Sequence, residues 1–178
     1  FTFLVFGGSA GARRINFAVV DALKLVGDLA RDLKVIHQTG HADYAAIREA
    51  YGALECDAEV TPFIDEMDAA YARADLILCR AGATTVAEIT AFGKAAILVP
   101  YPYAIYDHQR GNAEALAARG AAELLLDQQL TGDKLAARLR FYFGAPERLA
   151  AMAKAARVMG RPEAAQLIVD ECYALARR

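Results

Sequence analysis

The sequence predicts an α/β fold: a Rossmann-like parallel sheet of six strands with helices on both faces. Two observations predict it. Short apolar runs alternate with amphipathic stretches, the pattern left by strands joined through crossover helices. Two of the connections are glycine-bearing turns set directly between a strand and a helix. With 178 residues, 56% of them hydrophobic, the chain has length and apolar content for one domain with a sizeable core.

The elements follow in order. Residues 1–6 (FTFLVF) read as a buried strand, 7–11 (GGSAG) as a turn, and 12–30 as a helix. A second strand covers 33–37, a second helix 44–51, and a short third strand 58–61. Residues 65–73 suit a short helix with Asp65 as its N-cap. The fourth strand is 75–79, followed by a helix over 84–92 that Gly93 would end. Residues 95–99 form the fifth strand, and two prolines stiffen a loop over 100–106. Residues 108–119 read as a helix ending at Gly120, and 122–126 as the sixth strand. From Thr131 the pattern is helical to the end, interrupted at 144–146 and 160–162. The usual strand order 3-2-1-4-5-6 would put a ligand crevice between strands one and four, at their carboxyl ends.

Composition and motifs exclude several function classes. Twenty basic and twenty-two acidic residues leave a formal net charge of −2, and no basic tract stands out, so nucleic-acid binding has no support. No apolar run reaches the roughly 18 residues of a membrane helix. Cys56, Cys79 and Cys172 lie far apart without metal-ligand spacing, which suits a reducing compartment. His37, His41 and His108 have no metal spacing either, and no Asp-x-Asp pair is present to chelate a metal-bound diphosphate. No cofactor is expected. A chain that opens without Met inside a strand reads as cut from a longer polypeptide.

Four segments carry candidate chemistry. The turn with Gly8, Ser9, Ala10 and Gly11 opens a helix, so backbone N–H groups, the helix dipole and the Ser9 hydroxyl can meet a phosphate; the alternative is a tight turn that binds nothing. It is not the dinucleotide fingerprint, because the second strand ends His37-Gln38-Thr39 with no carboxylate for an adenosine ribose. The segment 80–88 (RAGATTVAE) supplies a second strand-to-helix turn with Ala83, Thr84 and Thr85, and Glu88 in the first helical turn can hold ribose hydroxyls. Equally, Thr85-x-x-Glu88 fits a capping box that would serve the helix alone. In YPYAIYDHQRGN (101–112), Gln109 and Asn112 share a helix face and could bind sugar hydroxyls, or simply start a polar helix with Asp107 as N-cap. Thr61-Pro62-Phe63-Ile64 is either an apolar platform whose Ile64 backbone reads a base, or a core plug.

The stretches 7–16 (GGSAGARRIN), 60–102 and 107–116 (DHQRGNAEAL) together resemble the C-terminal domain of the MurG family of glycosyltransferases. That family moves N-acetylglucosamine from UDP-GlcNAc to a lipid-linked muramyl-pentapeptide, lipid I, forming lipid II for peptidoglycan. The resemblance implies one half of a GT-B fold. Residues 1–178 would be a single donor-binding domain with C-terminal helices over 146–178, and the N-terminal acceptor domain, with any catalytic base, would be absent. It places Ser9 near the diphosphate, Ile64 on the uracil, Ala83–Thr85 along the nucleotide, Glu88 on the ribose, Gln109 on the sugar and Asn112 in support. It implies cytoplasmic location on the inner membrane face, lipid I as partner through the absent domain, and a final helix (162–178) that packs back onto it. The reaction it implies is direct displacement at the anomeric carbon, with helix N-termini rather than an obligatory metal stabilising the departing UDP. Two departures stand out: Ala81 where many relatives carry Ser, and Arg110-Gly111 where bulkier residues are common. Alternatives are a glycolipid synthase of the same fold, a non-catalytic nucleotide-binding subunit, and a Rossmann domain whose glycine turns are only structural.

Overall fold

The computed structural model describes residues 1–177; Arg178, the end of the expected helical tail, lies outside the described residues. Six strands form one sheet: β1 (Thr2–Phe6), β2 (Lys34–Gln38), β3 (Asp57–Thr61), β4 (Leu76–Cys79), β5 (Ala95–Leu98) and β6 (Glu123–Leu124). All pairings are parallel and the order is β3-β2-β1-β4-β5-β6, the usual order of this fold class. Chain direction across the sheet reverses between β1 and β4, which opens a crevice above their carboxyl ends.

Burial explains the strand pattern. Phe3 and Val5 face one core, Leu4 and Phe6 the other, because successive strand residues point to opposite faces. Both faces are covered, so the inner strands are continuous apolar runs. One face carries α1 (Arg13–Leu25), α2 (Tyr44–Gly52) and α6 (Gly132–Phe143). The other carries α3 (Met67–Arg73), α4 (Ala83–Phe92) and α5 (His108–Ala117), while α7 (Pro146–Met159) lends Leu149 to the first core and Ala156 to the second. The edge strand β3 is guarded by charge: Arg73 binds Glu59 at 2.5 Å, and Lys34 lies 3.5 Å from it. The three cysteines are unpaired.

Some boundaries differ from expectation. The helix expected over 12–30 stops at Leu25, because Gly27 turns left-handed (φ 66°) and the chain continues as a 3-10 helix, Gly27–Asp32. Helix α3 begins at Met67, so Asp65 is outside it and caps nothing; Glu66 holds the N-cap position without a side-chain bond. The sixth strand shrinks to two residues as Asp127–Gln129 coils into a 3-10 turn. Gly93 ends α4 in the left-handed conformation (φ 60°), as expected. The last helix, α8 (Ala164–Ala176), has no buried residue. Among the described residues no helix is long and apolar enough to cross a membrane.

Candidate functional site

A cleft of about 580 Å³ opens above the carboxyl ends of β1 and β4. The two glycine turns lie on either side of it, and the loop after β5 closes one end. A larger groove, about 820 Å³, runs along α1 to the start of α6, but no strand ends or glycine turns converge on it. The smaller cleft therefore has the stronger claim to chemistry.

The first turn is built by backbone contact. Gly8 (φ 90°) and Gly11 (φ 78°) are left-handed, and the Gly11 N–H donates to the Gly8 carbonyl at 2.9 Å. A Cβ on Gly11 would sit 2.1 Å from the Thr39 carbonyl oxygen, and one on Gly40 would sit 2.4 Å from that of Ala10. Two chain segments thus cross backbone to backbone, so part of the glycine requirement is packing rather than phosphate approach. Gly8 differs: a Cβ there would meet nothing within 4 Å, and only its backbone conformation selects glycine. Ala12 then holds the N-cap of α1 with no side-chain cap, and Gly82 that of α4 likewise, so both helices leave first-turn N–H groups without a side-chain partner.

The capping-box reading of Thr85 and Glu88 is overturned. Gly82 takes an extended conformation (φ −63°, ψ 151°) and becomes the N-cap, which starts α4 at Ala83 and moves Thr85 and Glu88 inside it. Glu88 therefore stands in the second turn, not the first, on the same face as Thr85. Its Oε2 accepts a 2.9 Å bond from the Tyr71 hydroxyl. Tyr71 is 1% exposed and stacks on Phe92 with ring centroids 5.1 Å apart. Burial pushes the Tyr71 hydroxyl well above its ordinary pKa, so it remains a donor and holds the carboxylate in one orientation.

The amides of α5 turn toward the cleft floor. Gln109 Oε1 accepts from the N–H groups of Ala81 (3.2 Å) and Tyr101 (3.0 Å), and Asn112 Nδ2 donates to the Ala81 carbonyl (3.0 Å). Together they clamp the buried Ala81 and tie the turn after β4 to the loop after β5. Asp107 occupies the N-cap of α5 in a left-handed conformation (φ 54°) and its side chain caps nothing. Tyr106 before it is also left-handed (φ 53°), an unfavourable conformation for two consecutive non-glycine residues.

Of the expected residues, Gly8, Ala10, Gly11, Thr85 and Gln109 line the cleft. Ser9, Ala83 and Thr84 are exposed at its rim turns, while Glu88, Ile64 and Asn112 are half-buried beyond its lining. The structure adds residues that the candidate set leaves out. Arg80 Nη1 bonds Asp127 Oδ1 at 2.6 Å and the carbonyls of Val99 and Pro100 at 3.2 Å each, and its guanidinium lies 5.5 Å from the Tyr101 ring centre. Arg14 reaches the second Asp127 oxygen at 3.5 Å. The Gln38 side chain donates to the Gly8 carbonyl (3.0 Å) and accepts from the Ile64 N–H (2.9 Å). Among the described residues no cluster of His, Cys, Asp and Glu could hold a metal ion.

The fold is shared with a solved structure, and the sequence with curated relatives. The chain is 53% identical, over 94% of its length, to the UDP-N-acetylglucosamine–N-acetylmuramyl-(pentapeptide) pyrophosphoryl-undecaprenol N-acetylglucosamine transferase of Geotalea daltonii. It is 51% identical over 98% of its length to the protein of that name from Myxococcus xanthus. It spans 46% of each of these relatives, about half their length. The crystal structure of Acinetobacter baumannii MurG superimposes with a TM-score of 0.85 at 38% identity, covering 95% of this chain and 48% of that one. The model of the glycosyltransferase family 28 C-terminal domain matches residues 2–168, and the chain belongs to that family.

Proposed function

We propose that the cleft binds UDP-N-acetylglucosamine, and that the chain is the donor half of a GT-B enzyme transferring N-acetylglucosamine to lipid I. The observation that carries this reading is the meeting of two uncapped helix starts across the switch point, with an oriented carboxylate one turn inside the second. The names of the half-matching relatives support the choice of sugar and acceptor. The turn at Gly8–Gly11, with Ser9, would face the diphosphate, where the dipole of α1 stabilises negative charge. Ile64, whose N–H is held by Gln38, would read the uracil with its backbone carbonyl, and Ala83, Thr84 and Thr85 would border the nucleotide. Glu88 would accept from the ribose hydroxyls with the oxygen that Tyr71 does not use. Gln109, its Oε1 committed to two backbone N–H groups, would offer Nε2 to a sugar hydroxyl, with Asn112 bracing the floor.

In the reaction, the acceptor hydroxyl would displace UDP at the anomeric carbon. The helix starts would stabilise the charge that builds on the departing diphosphate, with no obligatory metal. The acceptor site and general base would belong to an N-terminal half, and the lipid acceptor would hold the enzyme at the cytoplasmic face of the inner membrane. The exposed α8, with Leu167, Ile168 and Tyr173 in solvent, would pack onto that half.

Nucleotide titration tests the ribose assignment. The chain is expected to bind UDP about tenfold more tightly than 2′-deoxy-UDP, the worth of a charge-assisted hydrogen bond, and Glu88→Ala to abolish the preference. An unchanged preference in the folded variant would remove Glu88 from the ribose site.

A further inference from the structure

Gln38 ends β2 and is 4% exposed, yet both ends of its amide are engaged, one with each of two loops far apart in sequence. Nε2 donates to the Gly8 carbonyl at 3.0 Å and Oε1 accepts from the Ile64 N–H at 2.9 Å. The Gly8 carbonyl also accepts from the Gly11 N–H at 2.9 Å, which occupies both of its lone pairs. Alongside, the Thr39 N–H bonds the Thr61 carbonyl at 3.0 Å and the Gly40 N–H bonds that of Pro62 at 3.1 Å. A carboxamide gives at one end and accepts at the other inside a buried space while staying neutral at any pH. Leu would fill the space without either bond, and Glu, once ionised at high pH, would keep the acceptor while setting an anion against the Gly8 carbonyl.

We propose that Gln38 is a positioning residue that couples the base end of the nucleotide site to its diphosphate end. The proposal rests on the donor-site reading above, in which Ile64 meets the base and the glycine turn meets the diphosphate. By fixing the spacing of the two loops, the bridge lets a ligand that spans both find them already set, without an ordering cost on binding. Uridine alone uses one end of the bridge and UDP uses both. The ratio of UDP to uridine affinity therefore measures the coupling.

The test compares the chain with Gln38→Glu, using calorimetry for UDP and chemical-shift titration for uridine. Gln38→Glu is expected to bind uridine within about twofold of the original but to lose about tenfold in the UDP-to-uridine ratio, as loss of one buried hydrogen bond with its repulsion implies. A purely architectural glutamine would lower the melting temperature and leave the ratio unchanged, and that result in a folded variant overturns the proposal. A second measurement needs no variant. Uridine added to the unaltered chain is expected to shift the Gln38 side-chain NH₂ and Gly8 amide resonances across the bridge, and silence at both overturns the coupling even if Gln38→Glu does not fold. A chain that binds neither UDP nor uridine overturns the donor-site reading and this proposal together, whereas binding with an unchanged ratio overturns this proposal alone.

Discussion

His37 shows how a single buried residue sets the conditions under which the site exists. Asn16 donates through Nδ2 to the Thr39 carbonyl (2.8 Å) and to Asp43 (2.9 Å), so its Oδ1 faces His37 Nε2 at 3.1 Å. That ring nitrogen must then carry the proton, and Nδ1 accepts from the Tyr51 hydroxyl at 2.9 Å. Burial pushes the imidazole down to about 3 from its ordinary 6.5. The sign follows: the folded chain keeps His37 neutral, while the unfolded chain takes up a proton below 6.5. This contribution to stability is whole above that pH and is lost progressively as pH falls toward 3, at up to about 1.4 kcal/mol per pH unit. Urea unfolding at pH 7.5 and pH 5.5 is expected to show the loss, and His37→Gln to flatten it. An equally steep loss in His37→Gln would assign it to other groups. The consequence reaches the site, because the same Asn16 fixes the Thr39 carbonyl against which Gly11 packs.

The crossing of the first glycine turn over Thr39-Gly40 is the element on which the cleft wall depends. Gly11→Ala would combine a left-handed backbone with a Cβ 2.1 Å from a carbonyl oxygen, so it should cost more than about 2 kcal/mol. Gly8→Ala meets open space and should cost only the conformational strain, about 1 kcal/mol. Urea midpoints of the two variants check this, and equal costs would contradict the crossing as the stronger constraint. The strands and both strand-to-helix turns were legible in the sequence, because apolar runs and glycines record local backbone requirements, whereas the strand order came only from the usual topology of the fold class. Helix starts were less so. Thr85-x-x-Glu88 matches a capping box in every local respect, yet Gly82 begins the helix earlier and leaves both residues inside it. The bridges were not legible at all: Tyr71 meets Glu88 across 17 positions, Gln38 meets Ile64 across 26, and Arg80 meets Asp127 across 47. No periodicity encodes such pairs, since only the assembled sheet brings their loops together.

At the scale of the molecule, two covered sheet faces hold β1 and β4 rigid, and the functional loops all leave from one end of them. The Arg80–Asp127 pair, with both side chains no more than 13% exposed, ties the turn after β4 to the segment after β6, and Arg14 brings in the start of α1. Three loops around the cleft are thus joined by one carboxylate before any ligand arrives, which lowers the ordering cost of binding. The C-terminal helix is unlike this: α8 buries nothing and exposes Leu167, Ile168, Val169 and Tyr173. The central claim, that the cleft is a site for a uridine diphosphate sugar, is tested most directly by calorimetric titration with UDP-N-acetylglucosamine, UDP-glucose and NAD. Saturable one-to-one binding of UDP-N-acetylglucosamine, weaker binding of UDP-glucose and none of NAD is the predicted result. Binding of NAD in preference, or of no uridine nucleotide by the folded chain, would contradict the claim.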